Sequence, residues 1–346
     1  MEFFGEKLVI KMWETLAVKG IGSLLTPWQT KREGLARNEV RRHEMLMLAQ
    51  AEKDAEEVRA GRKQLGANGT LLLITSNVDH NVTESKNQLN LRIEPTLLLP
   101  DAVRISQTTD AIEGARREIN SAKAVLYAEE QLACDPQEPP SRNIEEDWLF
   151  SWREYAGRVG AEDLQRLWGS VLAGEIKSPG RYSMRTLEFL KTLSKAEAEI
   201  ISRLARYAID GRIDRNQKAY LEAQGLDFGL LLRMQDMGVV SGVEAVGMSV
   251  TIKSTVVEKF ICPLRSNGKV LIIEHEDATK TLRLEVYLLT EVGKQILGLG
   301  TFEPDLEYLN LVGKYIITLG FTVKLCDWHQ LSEHEGRYSN GILIEA

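Results

Sequence analysis

Residues able to bind a metal or attack a substrate are sparse in this sequence. Cys134, Cys262 and Cys326 are far apart and odd in number, so neither a disulfide framework nor a C-x-x-C metal clip is legible. Of His43, His80, His275, His329 and His334, only the last two are close. Their i, i+5 spacing beside Cys326 and Asp327 is a poor ligand pattern, and the stretch reads as a polar C-terminal tail. Asp79-His80 falls in an Asn-rich run that reads as a solvated loop. No G-x-x-x-x-G-K-[ST] loop, G-x-G-x-x-G, G-x-S-x-G or H-E-x-x-H occurs. Glu175 and Arg185 are the strong functional groups of the most distinctive stretch. A general acid needs a second polar partner beside a substrate, and none is visible. The expectation is a buried Glu–Arg pair locking a turn against a helix. No catalytic, cofactor-binding or metal residue is assigned, no cofactor is expected and no small-molecule substrate is identified.

The charge balance narrows the partners. With 43 Lys and Arg against 50 Asp and Glu, the net charge is −7. That excludes a protein whose whole surface grips nucleic acid, which requires dense positive charge. The balance is uneven: residues 1–66 carry +2, residues 67–194 carry −5 and residues 195–346 carry −4. The positive excess sits beside the most apolar stretch. There Phe3, Phe4, Leu8, Met12, Trp13 and Leu16 alternate with Glu6, Lys7, Lys11, Glu14 and Lys19. The charges argue against a spanning helix and against a secretory signal. The pattern predicts an amphipathic helix, broken near 20–22 and stopped at Pro27. Such a helix packs on its own protein or a second subunit, or lies in a membrane interface. In either case Phe3, Phe4, Leu8, Met12, Trp13, Leu16 and Trp28 are the expected contacts. The two readings stay open. Residues 29–64 predict a charged helix with a thin apolar seam, and its Arg37, Arg41 and Arg42 read as local ion pairs.

Further along, residues 65–103 are mostly loop, with a short apolar run at 71–74 that suits strand or helix. A helix is expected over about 109–133, followed by a linker at Pro136, Pro139 and Pro140. The clearest periodicity lies in residues 143–209. Leu164, Leu167, Trp168, Val171 and Leu172 fall on one helical face, Gly174 stops it and Pro179-Gly180 turns the backbone. Ser183 and Ser194 are expected N-caps of the next two helices. Four short helices make a compact helical module.

The run EEDWLFSWREYAGRVGAEDLQRLWGSVLAGEIKSPGRYSMRTLEFLKTLSKAEAEII, residues 145–201, resembles a bacterial family known as a domain of unknown function. Its pattern is an acidic-Trp start, then LW, LAGE, PG and S.RTL. The residues that carry it are Trp148, Trp168, Leu172, Gly174, Glu175, Pro179, Gly180, Ser183, Arg185 and Leu187. The GIG.LL.PW run at 20–28 is similar to the same family, and these elements also resemble abortive-infection alpha-type proteins of phage-defence loci. The resemblance implies a bacterial cytoplasmic protein, or one peripheral at the inner membrane, with a role in phage defence. It supplies no catalytic residue.

After residue 195 the expected order is helix, short helix, helix, strand, at 195–209, 215–224, 227–237 and 248–257. Strand-like runs at 270–274 and 282–289 follow, with a turn between them, then a helix begun by Thr290. This succession resembles a winged-helix domain with the two runs as its hairpin. A helix near 304–319 and a strand at 321–325 end the series. In the helix that would read DNA, only Arg233 and Gln235 could contact nucleic acid, beside two acids. Protein contact or dimerisation suits that helix better.

The expected fold is mainly α with a C-terminal α+β module. Its domains are an N-terminal amphipathic and charged helical segment (1–66), a helical and loop connecting region (67–142), a central helical module (143–194) and a winged-helix-like α+β domain (195–346). The expected function is that of a non-enzymatic interaction protein. It would self-associate or bind a protein partner, with peripheral membrane contact as a further route. A winged-helix nucleic-acid regulator, or an enzyme with an unrecognised site, are the alternatives.

Overall fold

A computed structural model of the protein describes residues 5–18, 37–60, 62–65, 71–73, 99–244, 248–330 and 336–345. It is mainly α with a C-terminal α+β module, and it divides into two compact units, Met1–Tyr182 and Ser183–Ala346.

The first unit is helical. Its elements are α1 (Glu6–Val18), α2 (Arg37–Arg59), a short hairpin of β1 (Lys63–Leu65) and β2 (Leu71–Leu73), α3 (Leu99–Ala133), α4 (Glu146–Gly157) and α5 (Glu162–Lys177). α3 begins ten residues before the expected 109. Its described residues from 106 to 117 are mostly polar or small and nearly all exposed, with Ile112 the single large apolar side chain, so no apolar stripe announces that half. From Ile119 onward the stripe appears: Ile119, Ala122, Val125, Leu126 and Leu132 are buried. The backbones of α3 and α5 approach closely because Gly169 lacks a side chain. A Cβ there would lie 2.7 Å from the Tyr127 Cβ and 2.9 Å from the Ala124 carbonyl oxygen. Asn120 donates to the Gly157 carbonyl, and Gln165 donates to the Asn120 carboxamide oxygen and to the Val159 carbonyl. Each buried amide therefore has partners, as interior polar groups require.

The N-terminal helix is part of this core. Leu8, Met12 and Leu16 are fully buried and Trp13 nearly so. α1 packs on α3 and α5, while Lys7 pairs with Glu138 and Lys11 donates to Asn143.

The second unit contains α6 (Met184–Thr192), α7 (Lys195–Ala205), β3 (Arg212–Asp214), a 3-10 turn at Arg215–Gln217, α8 (Lys218–Ala223), α9 (Phe228–Asp236), β4 (Val240–Ser241), β5 (Met248–Ile252), β6 (Phe260–Ser266), β7 (Lys269–His275), β8 (Leu282–Leu289), α10 (Glu291–Leu297), α11 (Leu306–Thr318), β9 (Thr322–Gln330) and β10 (Gly336–Leu343). The expected caps are present. Ser183 accepts from the Thr186 N–H, Ser194 forms a full capping box with Glu197, and Thr290 accepts from the Gly293 N–H.

Two antiparallel sheets form here. One has the order β3-β8-β4, with β5 also paired to β8. The other has the order β10-β9-β7-β6. This corrects the expected hairpin of 270–274 with 282–289, because β7 and β8 lie in different sheets. β7 pairs instead with β6 through the Asn267-Gly268 turn, whose φ values of 44° and 80° suit a two-residue hairpin. Asn-Gly is a strong hairpin signal, but Pro263 within β6 argues against a strand there. Of the stretch read as a polar tail, Cys326, Asp327 and His329 belong to β9, and the edge strand β10 that follows is almost wholly exposed and therefore without an alternating pattern.

Candidate functional site

Within the first unit, signature residues of α4 and α5 lie against the 179–182 turn. α4 supplies Trp148 and Trp152, and α5 supplies Trp168, Leu172, Gly174 and Glu175, all buried. Trp148 donates its indole N–H to the Tyr182 carbonyl at 2.7 Å, and Trp152 donates to the Trp168 carbonyl at 2.9 Å. Each tryptophan thus fills the core and satisfies its polar edge. At about 25 cal/mol per Å², burying one such ring contributes on the order of 4–6 kcal/mol against an extended backbone. Tyr182 packs over Gly174, where a Cβ would lie 2.6 Å from the ring.

Glu175 sits beneath the Pro179-Gly180 turn. One carboxylate oxygen accepts from the Gly180 N–H at 2.5 Å and the other from the Tyr182 N–H at 3.0 Å. Gly180 has a φ of 92°, the left-handed region that glycine enters without steric penalty. Burial raises the Glu175 carboxyl above its ordinary range, against the two N–H groups and the Arg142 charge, which lower it. The expected Glu175–Arg185 pair is corrected: backbone N–H groups satisfy Glu175, and Arg185 is an exposed residue of the first turn of α6. Leu187 is buried, as its place in the motif requires. The group is a folding device whose polar atoms are engaged internally.

A second polar cluster is not legible in the sequence pattern. Tyr308, fully buried on α11, meets the Asp214 backbone N–H with its hydroxyl oxygen at 2.7 Å. Tyr207 and Tyr220 lie against the Tyr308 ring at centroid distances of 5.3 and 6.4 Å. The Asp214 carboxylate accepts from the Asn216 N–H and caps the 3-10 turn. Burial pushes its pKa up to about 6, despite hydrogen bonds from Asn216 and Gln217. The Tyr220 hydroxyl donates toward Asp305, 3.0 Å away, with Glu307 also near. The available signal was Asp214 standing just before a helical run, the place of an N-cap.

Of the residues expected to meet nucleic acid, Arg233 is exposed on α9. Gln235 is half-buried and engaged by the following turn: its carbonyl accepts from the Val243 N–H at 2.8 Å and its amide donates to Glu244 at 3.3 Å. The same helix leaves Phe228 49% exposed at its start. Among the expected membrane or partner residues, Leu8, Met12, Trp13 and Leu16 are assigned by packing to the core rather than to an outside contact. Phe3, Phe4 and Trp28 lie outside the described residues, as do His80, His334 and the 20–27 break. No described helix is long and apolar enough to cross a membrane. Among the described residues no cluster of His, Cys, Asp and Glu has the arrangement of a metal site. Asp327, beside the buried Cys326, is paired with Lys269 and accepts from Asn340.

Residues 113–226 match the family described as "Protein of unknown function (DUF2806)". The match runs from within α3 to just past α8 and therefore includes the whole Trp148-to-Leu187 stretch. No curated protein and no solved structure matches the sequence.

Proposed function

We propose that this protein is a non-enzymatic interaction protein that works by binding a protein partner or a second copy of itself, in the setting of bacterial phage defence. The observation that carries the binding role is α9. It presents Phe228 to solvent, while Gln235 is consumed by its own turn and Arg233 is its single base. Exposed aromatics near a helix N-terminus suit a protein contact, whereas a groove-reading helix needs several free bases and amides. The defence setting rests on the likeness of the LAGE and GIG.LL.PW runs to abortive-infection alpha-type proteins. Light scattering after gel filtration tests the first part: the full-length protein should form a defined oligomer, or a complex with a co-purified protein, that Phe228→Asp dissolves. A monomer unaffected by that change rejects it. Phage plating efficiency on cells with and without the gene tests the second part.

A second reading has its own support. The order α7, β3, α8, α9, β4/β5, β8, with β8 between β3 and β4, resembles a winged helix carrying β6 and β7 as an insertion. Gel-shift titration at two salt concentrations separates the readings. Salt-dependent duplex binding, lost in Arg233→Ala, would favour the regulator.

A further inference from the structure

The sequence contains three Asn-Gly pairs, of which Asn68-Gly69 lies outside the described residues. The other two share a left-handed asparagine, with φ of 44° at Asn267 and 54° at Asn340, but they are held very differently. The Asn267-Gly268 turn is locked. Its carboxamide donates to the Ala205 carbonyl, its glycine carbonyl accepts from the Trp328 N–H, and its flanks Ser266 and Lys269 are paired. Asn340-Gly341 sits in a bulge of the exposed edge strand β10. The β9 ladder runs through Ser339 and resumes at Ile342, so neither residue of the pair belongs to it. Among the described residues its side-chain tie is the Asn340 amide donating to Asp327 at 2.8 Å, on the exposed surface.

We propose that Asn340 is a site of spontaneous deamidation, and that the bulge of β10 is a slow chemical switch of charge at the edge of this sheet. When the bulge opens, the Gly341 backbone nitrogen attacks the carbonyl carbon of the Asn340 carboxamide. A carbon–nitrogen bond forms within a five-membered succinimide, the carbon–nitrogen bond of the carboxamide breaks, and ammonia leaves with the proton of the Gly341 amide. Water then adds to one ring carbonyl and the ring opens to aspartate or isoaspartate, so the balance is amide plus water giving acid plus ammonia. Glycine at 341 has no Cβ to block the attack. The step needs local opening, which is easiest at an exposed edge held on one side. The product carries a carboxylate where the amide donated to Asp327. It removes one of the groups that hold the Asp327 carboxyl below its ordinary range, leaving chiefly Lys269.

Ageing the full-length protein at mildly alkaline pH, then digesting with trypsin, tests the proposal. The peptide 338–346 is expected to gain acid and isoaspartate at least about tenfold faster than the peptide 266–269, as the difference in local opening requires. Gly341→Ala should abolish the gain without changing the circular dichroism spectrum. Equal rates in the two peptides, or an unchanged 338–346 in the folded protein while the urea-unfolded protein reacts, would overturn it. Asn340→Asp, folded by circular dichroism, should raise the Asp327 pKa seen by NMR titration. An unshifted Asp327 would overturn the charge-switch part.

Discussion

Glu175→Ala isolates the role of the signature carboxylate. The wild-type carboxylate accepts two backbone N–H groups, from Gly180 and Tyr182, in a site that excludes water from its residue almost completely. Truncation leaves both donors without an acceptor, at about 1–3 kcal/mol each. Part of this is offset, because the ionised carboxylate no longer has to be desolvated. The net loss is about 3 kcal/mol, or roughly 6–12 °C in melting temperature for a unit of this size. Glu175→Gln keeps one acceptor oxygen and should lose about half as much. The pH dependence has a definite sign. The folded carboxyl has a raised pKa, so folding favours its protonated form. The contribution of Glu175 to wild-type stability is therefore greatest below the ordinary carboxylate range, falls as pH rises through the raised value, and is flat above it. The Gln variant lacks that contribution to the slope. Thermal and urea unfolding followed by circular dichroism measure both effects. If Glu175→Ala unfolds within about 0.5 kcal/mol of wild type, as surface substitutions do, the carboxylate does not hold the turn and the reasoning fails.

Gly169→Ala should destabilise by about 2–3 kcal/mol, because its Cβ meets the backbone of α3 and the helices must separate; urea midpoints report it. Asp214→Asn should stabilise the protein near neutral pH by up to about 3 kcal/mol, since a carboxyl with a folded pKa raised to about 6 loses stability as pH rises from its unfolded value toward 6. That gain should vanish below about pH 4, and a constant gain at all pH would refute the burial argument. Gly268→Ala places a Cβ at a φ of 80° in open surroundings, so backbone strain alone applies. The expected loss is about 1–2 kcal/mol by thermal melting, with the β6–β7 hairpin retained.

How much of this was legible follows from which residues face a core. Helices α4 to α7 were legible, because Trp148, Trp152 and Tyr155, then Trp168, Val171 and Leu172, then Leu187 and Leu190, then Ile201, Leu204 and Ala205 recur at helical spacing within each, and Ser183 and Ser194 mark starts. The polar half of α3 and the exposed β10 were not, because neither carries an apolar period. The mainly helical class with its C-terminal α+β module, and the absence of a phosphate loop, G-x-G-x-x-G, G-x-S-x-G or H-E-x-x-H run, belong to the sequence by itself. They depend on composition and short-range order, which are present before any segment meets another. Tertiary structure alone decided the partners. Glu175 finds backbone N–H groups five and seven residues on rather than Arg185, because burial rewards a short, rigid donor pair over a long cation. β7 turns to β6 and β9 rather than to β8. The apolar face of α1 closes onto its own unit. Each of these choices is settled by which surface lies opposite, and no spacing within one segment records that.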